Sequence, residues 1–96
     1  MKVIVTAHAK ERFVARFKFR FHKDVLHGRN LPIFMGDLFR KGIDADFHFR
    51  MNVGKYNQLC CKHGYRFRLK QYKDIVFCYS QETDDVVKIT TAYRAV

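Results

Sequence analysis

VIVTAHAKERFVAR, residues 3–16, is the stretch on which the fold turns. Val3, Ile4 and Val5 are β-branched in succession, which suits a short strand. The strand stops at Thr6, whose hydroxyl can accept a hydrogen bond from an unpaired N–H in the first turn of a helix starting at Ala7. Wheeled at about 100° per residue, Phe13, Val14, Phe17 and Phe21 fall within one arc. His8, Arg12 and Arg16, spaced i, i+4, i+8, form a ridge well away from that arc. The run from Phe13 to Phe21 also alternates like a strand, with Phe13, Ala15, Phe17, Phe19 and Phe21 on one side. Helix through Arg16 is the expectation, and both templates stay open beyond it.

Working outward, His27-Gly28-Arg29-Asn30 is a turn, and Leu31-Pro32 opens a second helix, since proline is tolerated in a first turn. Ile33, Phe34, Leu38 and Phe39 supply its apolar stripe, and Gly42 is the natural stop. The remainder alternates with period two. Strands are expected at 47–53, 65–70, 74–79 and 86–93, the last two as a hairpin across the polar loop 80–85. The segment 57–62 has no clear assignment. The expected architecture is α+β: one domain over residues 1–96, with a short N-terminal strand and two helices packed on a four-stranded, mainly antiparallel sheet. Three local stretches repeat an aromatic–basic alternation: 17–20, 47–50 and 67–70. On pleated strands that alternation sends the aromatics inward and, if the strands at 47–53 and 65–70 are neighbours, gathers Arg50, Arg66, Arg68 and Lys70 on an outer face, with an ordinary solvated sheet face as the plain alternative.

Charge narrows the function. Nineteen Lys and Arg against nine Asp and Glu leave a net charge of +10. Self-repulsion on that scale costs stability, and a polyanion is the usual partner. Nucleic acid ranks first, an acidic protein second and an anionic membrane third. The opening Met1-Lys2-Val3-Ile4 has no myristoylation pattern, and no apolar run approaches the roughly 20 residues of a membrane span. Val3–Val5 is too short for a signal peptide, so a soluble, cytoplasmic protein is expected. Three cysteines, two of them adjacent at Cys60 and Cys61, do not make a disulfide framework.

Four constellations carry possible chemistry. His8 and Arg12 lie one turn apart on one helix face. A histidine exchanges protons near neutral pH, and an arginine can hold a phosphate and offset charge developing on it. Lys10 and Arg16 extend the basic character of the same helix. A surface helix that happens to carry His and Arg is the plain alternative. Among the other histidines, His22, His27, His48 and His63, the best placed to face His8 is His48, which alternates with Arg50. Cys60, Cys61, His63 and Cys78 lack the C-x-x-C spacing of a zinc site. Asp44 and Asp46, like Glu82, Asp84 and Asp85, are ordinary turn carboxylates and do not suggest a two-metal nuclease. No metal or cofactor is expected.

The T-x-H-A-x-x-R opening, the helices-then-strands order and the closing Ile89-Thr90-Thr91-Ala92-Tyr93 resemble small ribonuclease toxins of the barnase/EndoU/colicin/RelE (BECR) group. The resemblance covers roughly residues 3–16 and 74–94. It implies metal-independent endoribonuclease chemistry, in which a ribose 2′-OH attacks the neighbouring phosphate. Onto this chain it carries His8 and Arg12 from the helix and Thr91 and Tyr93 from the last strand as site residues. Lys10, Arg16, His48, Arg50, Arg66, Arg68 and Lys70 are the expected nucleic-acid contacts. RNA is favoured over DNA, and an acidic partner such as an antitoxin fits the same class. A non-catalytic nucleic-acid-binding protein, or a regulator docking on a host protein, is the alternative.

Overall fold

A computed structural model describes residues 1–45 and 67–94. The elements run β1 (Lys2–Val5), α1 (Ala7–Phe17), α2 (Lys23–Leu26), α3 (Leu31–Lys41), β2 (Ile43–Asp44), β3 (Phe67–Tyr72), β4 (Ile75–Thr83) and β5 (Val86–Arg94). The expected strand at 47–53 lies outside the described residues.

Thr6 caps α1 as its chemistry requires: its hydroxyl accepts from the Ala9 N–H at 3.1 Å. Regular helix ends at Phe17, but the chain continues to coil. The N–H groups of Arg20 and Phe21 both donate to the Phe17 carbonyl. The strand alternative for 13–21 is thereby excluded. Phe13, Phe17 and Phe21 stack together inward, with Phe13 centroids 5.1 Å from Phe17 and 5.6 Å from Phe21.

The sheet departs from expectation in both strand number and direction. Among the described residues it has five strands, in the order β1-β5-β4-β3-β2. β1 joins it in parallel with β5, Lys2 opposite Val86 through Val5 opposite Ile89, while the other pairs are antiparallel. The N-terminal strand is thus part of the sheet rather than an element laid on it. The polar stretch 80–85 is also mostly strand. β4 runs to Thr83 and the turn is only Asp84-Asp85, because Ser80, Gln81 and Thr83 still find ladder partners on β5.

Gly42 ends α3 as expected, although not by adopting a left-handed conformation. Its φ is −72°, and a Cβ there would meet the Gln71 carbonyl oxygen at 3.1 Å. The close approach of β3 leaves a side chain little room there. The one-turn α2, capped by the His22 ring accepting from the Asp24 N–H, and the two-residue β2 were not anticipated.

Two apolar clusters occupy the two sheet faces. On the helix side, Phe13, Phe17, Met35 and Phe39 pack on Ile75, Phe77, Tyr79, Val87, Ile89 and Ala92. The other side holds Ala45, Leu69, Val76, Cys78 and Tyr93. Each fully buried phenylalanine stabilises the fold by about 1.5–3 kcal/mol, so the helix-side aromatics dominate.

Candidate nucleic-acid interface

The position of α1 follows from what β1 leaves uncovered. Among the described residues β1 pairs with the first half of β5 alone, and it ends where Thr6 N–H donates to the Ile89 carbonyl. No strand among the described residues pairs with the same edge of β5 from Thr90 to Arg94, and α1 runs along it. Thr6 Oγ1 donates to the Thr90 carbonyl at 3.4 Å, at the start of the helix. Arg16 Nη1 donates to the Ala92 carbonyl at 2.6 Å, near its end. Arg20 then pairs with Asp74, whose carboxylate also lies 4.0 Å from Arg94. Side chains therefore satisfy the edge carbonyls that a sixth strand would otherwise take.

This arrangement sets the His8–Arg12–Arg16 ridge beside the β5 edge. Ala9, Phe13 and Phe17 anchor the buried face, leaving His8 and Arg12 half-buried at its margin. Arg16 is fixed by its carbonyl. Its pKa is lowered from the ordinary value, first by partial burial and then by the like charge of Arg12, with Tyr93 acting the other way. Arg20, Arg40, Arg68 and Arg94 each face a carboxylate. Among the described residues, Arg12 and Arg16 have no such pairing. Two cations held one turn apart repel each other, and a bound phosphate relieves that repulsion.

Thr91 and Tyr93 are placed differently from His8 and Arg12. The β4–β5 register shifts so that Cys78 opposes Thr91 while Tyr79 opposes Ile89, leaving Thr90 as an extra residue. A bulge of this kind reverses which residues face which side. Thr91 and Tyr93 consequently point with Cys78 and Val76 to the face away from the helices. They are only 5% and 6% exposed. Burial pushes the Tyr93 phenol well above its ordinary range, assisted by Cys78 and opposed by Arg16. The electrostatic link to α1 runs from Tyr93 through Arg16 to Arg12.

The expected sheet patch is also arranged differently. Arg68 and Lys70 do share a face, because they oppose Tyr79 and Phe77 in the β3–β4 ladder. That face is the helix-bearing one, and Lys70 Nζ lies 4.6 Å from the Phe39 ring centroid. Arg68 lies 4.0 Å from Asp44. Phe67 and Leu69 turn to the other face. Lys10 is half-buried on α1. His48, Arg50 and Arg66 lie outside the described residues, as do Cys60, Cys61 and His63. Cys78 is buried on the face away from the helices. His22 and His27 are taken up at the two ends of α2.

Sequence reasoning missed Thr90, and the bond by which Thr6 ties α1 to it, as features that position the site. The Thr90 hydroxyl donates to the Cys78 carbonyl at 3.1 Å, pinning the bulge to which Thr6 attaches. Only the capping half of the Thr6 role has a sequence signal. No helix among the described residues is long and apolar enough to cross a membrane. The chain matches no protein-family model, no curated protein and no solved structure.

Proposed function

We propose that this chain is a small RNA-binding endoribonuclease, toxin-like in type, that uses the His8–Arg12–Arg16 ridge. The observation that carries the reading is the pair of guanidiniums one turn apart beside a histidine, with Arg16 tied to the Ala92 carbonyl. Such a pair is suited to a phosphodiester, and the net charge of +10 favours a polyanion in general.

In this reading the His8 imidazole removes the proton of a ribose 2′-OH. The 2′-oxygen attacks the adjacent phosphorus, and the bond to the 5′-oxygen of the next nucleotide breaks. That oxygen takes a proton from water, leaving a 2′,3′-cyclic phosphate and a 5′-hydroxyl, and the hydroxide so formed takes the proton held on His8. Arg12 faces the charge that builds on the non-bridging oxygens, and Arg16 sets its position. The buried Thr91 and Tyr93 act as positioning residues, because the strand segment they belong to presents the carbonyl that holds Arg16. An acidic protein inhibitor is the partner such a basic nuclease calls for.

The burial of Thr91 and Tyr93 favours one competing reading, a non-catalytic RNA-binding protein using the same ridge. Digestion of mixed RNAs in the presence of a chelator by wild type, His8→Ala and Arg12→Ala separates the two. Cleavage by wild type that falls at least a hundredfold in His8→Ala supports the nuclease. Tight binding without cleavage by wild type selects the binder.

A further inference from the structure

The sequence Phe17-Lys18-Phe19-Arg20-Phe21 divides its aromatics unequally. Phe17 and Phe21 join Phe13 in the core, whereas Phe19 is 94% exposed. No other large apolar side chain among the described residues is as exposed. Full exposure of a phenylalanine costs hydrophobic free energy, of order 1.5–3 kcal/mol relative to burial. The position is also fixed, because the turn that carries Phe19 closes through the Arg20 and Phe21 N–H groups onto Phe17.

The direction in which Phe19 points follows from that continued coil. Taking Arg12 as zero and about 100° per residue, His8, Arg16 and Phe19 fall near −40°, +40° and −20°. The aromatic therefore prolongs the ridge on its solvent side. At about 1.5 Å per residue it stands roughly 16 Å beyond His8, a reach of a few nucleotides. A cation stands at it: Lys18 Nζ lies 5.1 Å from the ring centroid, and Arg16 lies three residues before it, while Arg20 on its other side is paired with Asp74.

We infer that Phe19 is a stacking platform for an unpaired nucleobase, so that the ridge takes single-stranded RNA rather than duplex. This rests on the RNA-binding reading of the ridge and adds a strand-state preference to it. A solvent-exposed aromatic ring with basic side chains near it is how single strands are held without base-specific hydrogen bonds, the ring accepting the base on the face that Lys18 leaves open and the cations the backbone. In a duplex the bases are already stacked on one another and present no free face to Phe19. Arg12 and Arg16 contact phosphate in either case.

The chain has no tryptophan, so Phe19→Trp introduces a single reporter at this position. A single-stranded mixed-sequence RNA 12-mer, and the same strand in a duplex, are titrated into that variant. Fluorescence-labelled versions are titrated into wild type, Phe19→Ala, Phe19→Tyr and Arg12→Gln. Stacking predicts quenching of the tryptophan by the single strand and not by the duplex. Phe19→Ala should weaken single-strand binding about tenfold, with duplex binding unchanged and Phe19→Tyr restoring affinity. If Arg12→Gln weakens binding while Phe19→Ala does not, the stacking role is wrong and RNA binding by the ridge survives. If wild type binds no RNA, both fall. A tryptophan blue shift on phosphatidylserine-containing vesicles without a response to RNA would overturn the inference in favour of a membrane contact.

Discussion

Thr6→Ala tests the way the fold builds its site. The Thr6 hydroxyl serves twice, accepting from the Ala9 N–H at 3.1 Å and donating to the Thr90 carbonyl at 3.4 Å. Loss of a threonine N-cap costs about 1 kcal/mol, and the longer second bond adds roughly 0.5 kcal/mol. The expected total of about 1.5 kcal/mol corresponds in a domain of this size to a melting-temperature drop of roughly 6–12 °C. In urea, with a slope of about 1 kcal/mol per molar, the midpoint should fall by roughly 1.5 M. Thr6→Ser keeps donor and acceptor and should stay within a few tenths of a kcal/mol of wild type. Thr6→Asp keeps the cap but has no hydrogen to give Thr90, so it isolates the second bond. Because α1 carries His8 two residues after the cap, Thr6→Ala should also reduce RNA cleavage at temperatures where the variant is fully folded, and Thr6→Ser should not. Urea melts with Thr6→Ala matching wild type within 0.3 kcal/mol, or Thr6→Ser as damaging as Thr6→Ala, would refute the latch.

Three further outcomes are expected. Phe17→Ala should destabilise by about 3–5 kcal/mol and Phe19→Ala by less than about 0.5 kcal/mol, a contrast that chemical denaturation of the two variants reads directly. Tyr93 has a folded-state pKa raised above its unfolded value, so the native state binds more protons than the unfolded chain above about pH 10. The associated stability is present below that pH and lost as pH rises further, and Tyr93→Phe should flatten this alkaline loss in stability measured from pH 8 to 11. Arg12→Gln should weaken RNA binding and reduce the slope of log affinity against log salt by about 0.7, the loss of one phosphate contact on a single strand.

How far the sequence was legible depends on whether each signal is local. The Thr6 cap and the Val86–Tyr93 half of the hairpin are short-range features, and each is where side-chain chemistry puts it, whereas the Gly42 stop coincides with a close approach by Gln71 of β3 that has no local signal. The parallel pairing of β1 with β5 joins residues more than eighty positions apart, and four residues of edge strand carry no mark of their partner. The stretch Ser80–Thr83 reads as loop because it is polar. It is strand because Ser80 and Glu82 are held together with Lys88 on an exposed part of the ladder, where polarity is no obstacle.

The candidate site divides in the same way. The ridge of His8, Arg12 and Arg16 follows from helical spacing alone. The roles of Thr91 and Tyr93 depend on one extra residue at Thr90, which reverses the facing of everything after it. Without that bulge, strict alternation would align Thr91 with Ile89 on the helix side. Phe19 was ambiguous for a related reason: an alternating aromatic run fits strand and helix equally, and only the turn after Phe17 decides that the middle ring faces solvent.

The nuclease reading is tested most directly by an RNA oligonucleotide carrying a single 2′-deoxy sugar at the position wild type cleaves, digested in a chelator, with the ends of the products identified. Attack by the 2′-oxygen predicts that the all-ribose strand is cut to a 2′,3′-cyclic phosphate and a 5′-hydroxyl. The deoxy position should be left intact, and His8→Ala should lose the cut. Cleavage at the deoxy position, or undiminished cleavage by His8→Ala, would contradict the mechanism.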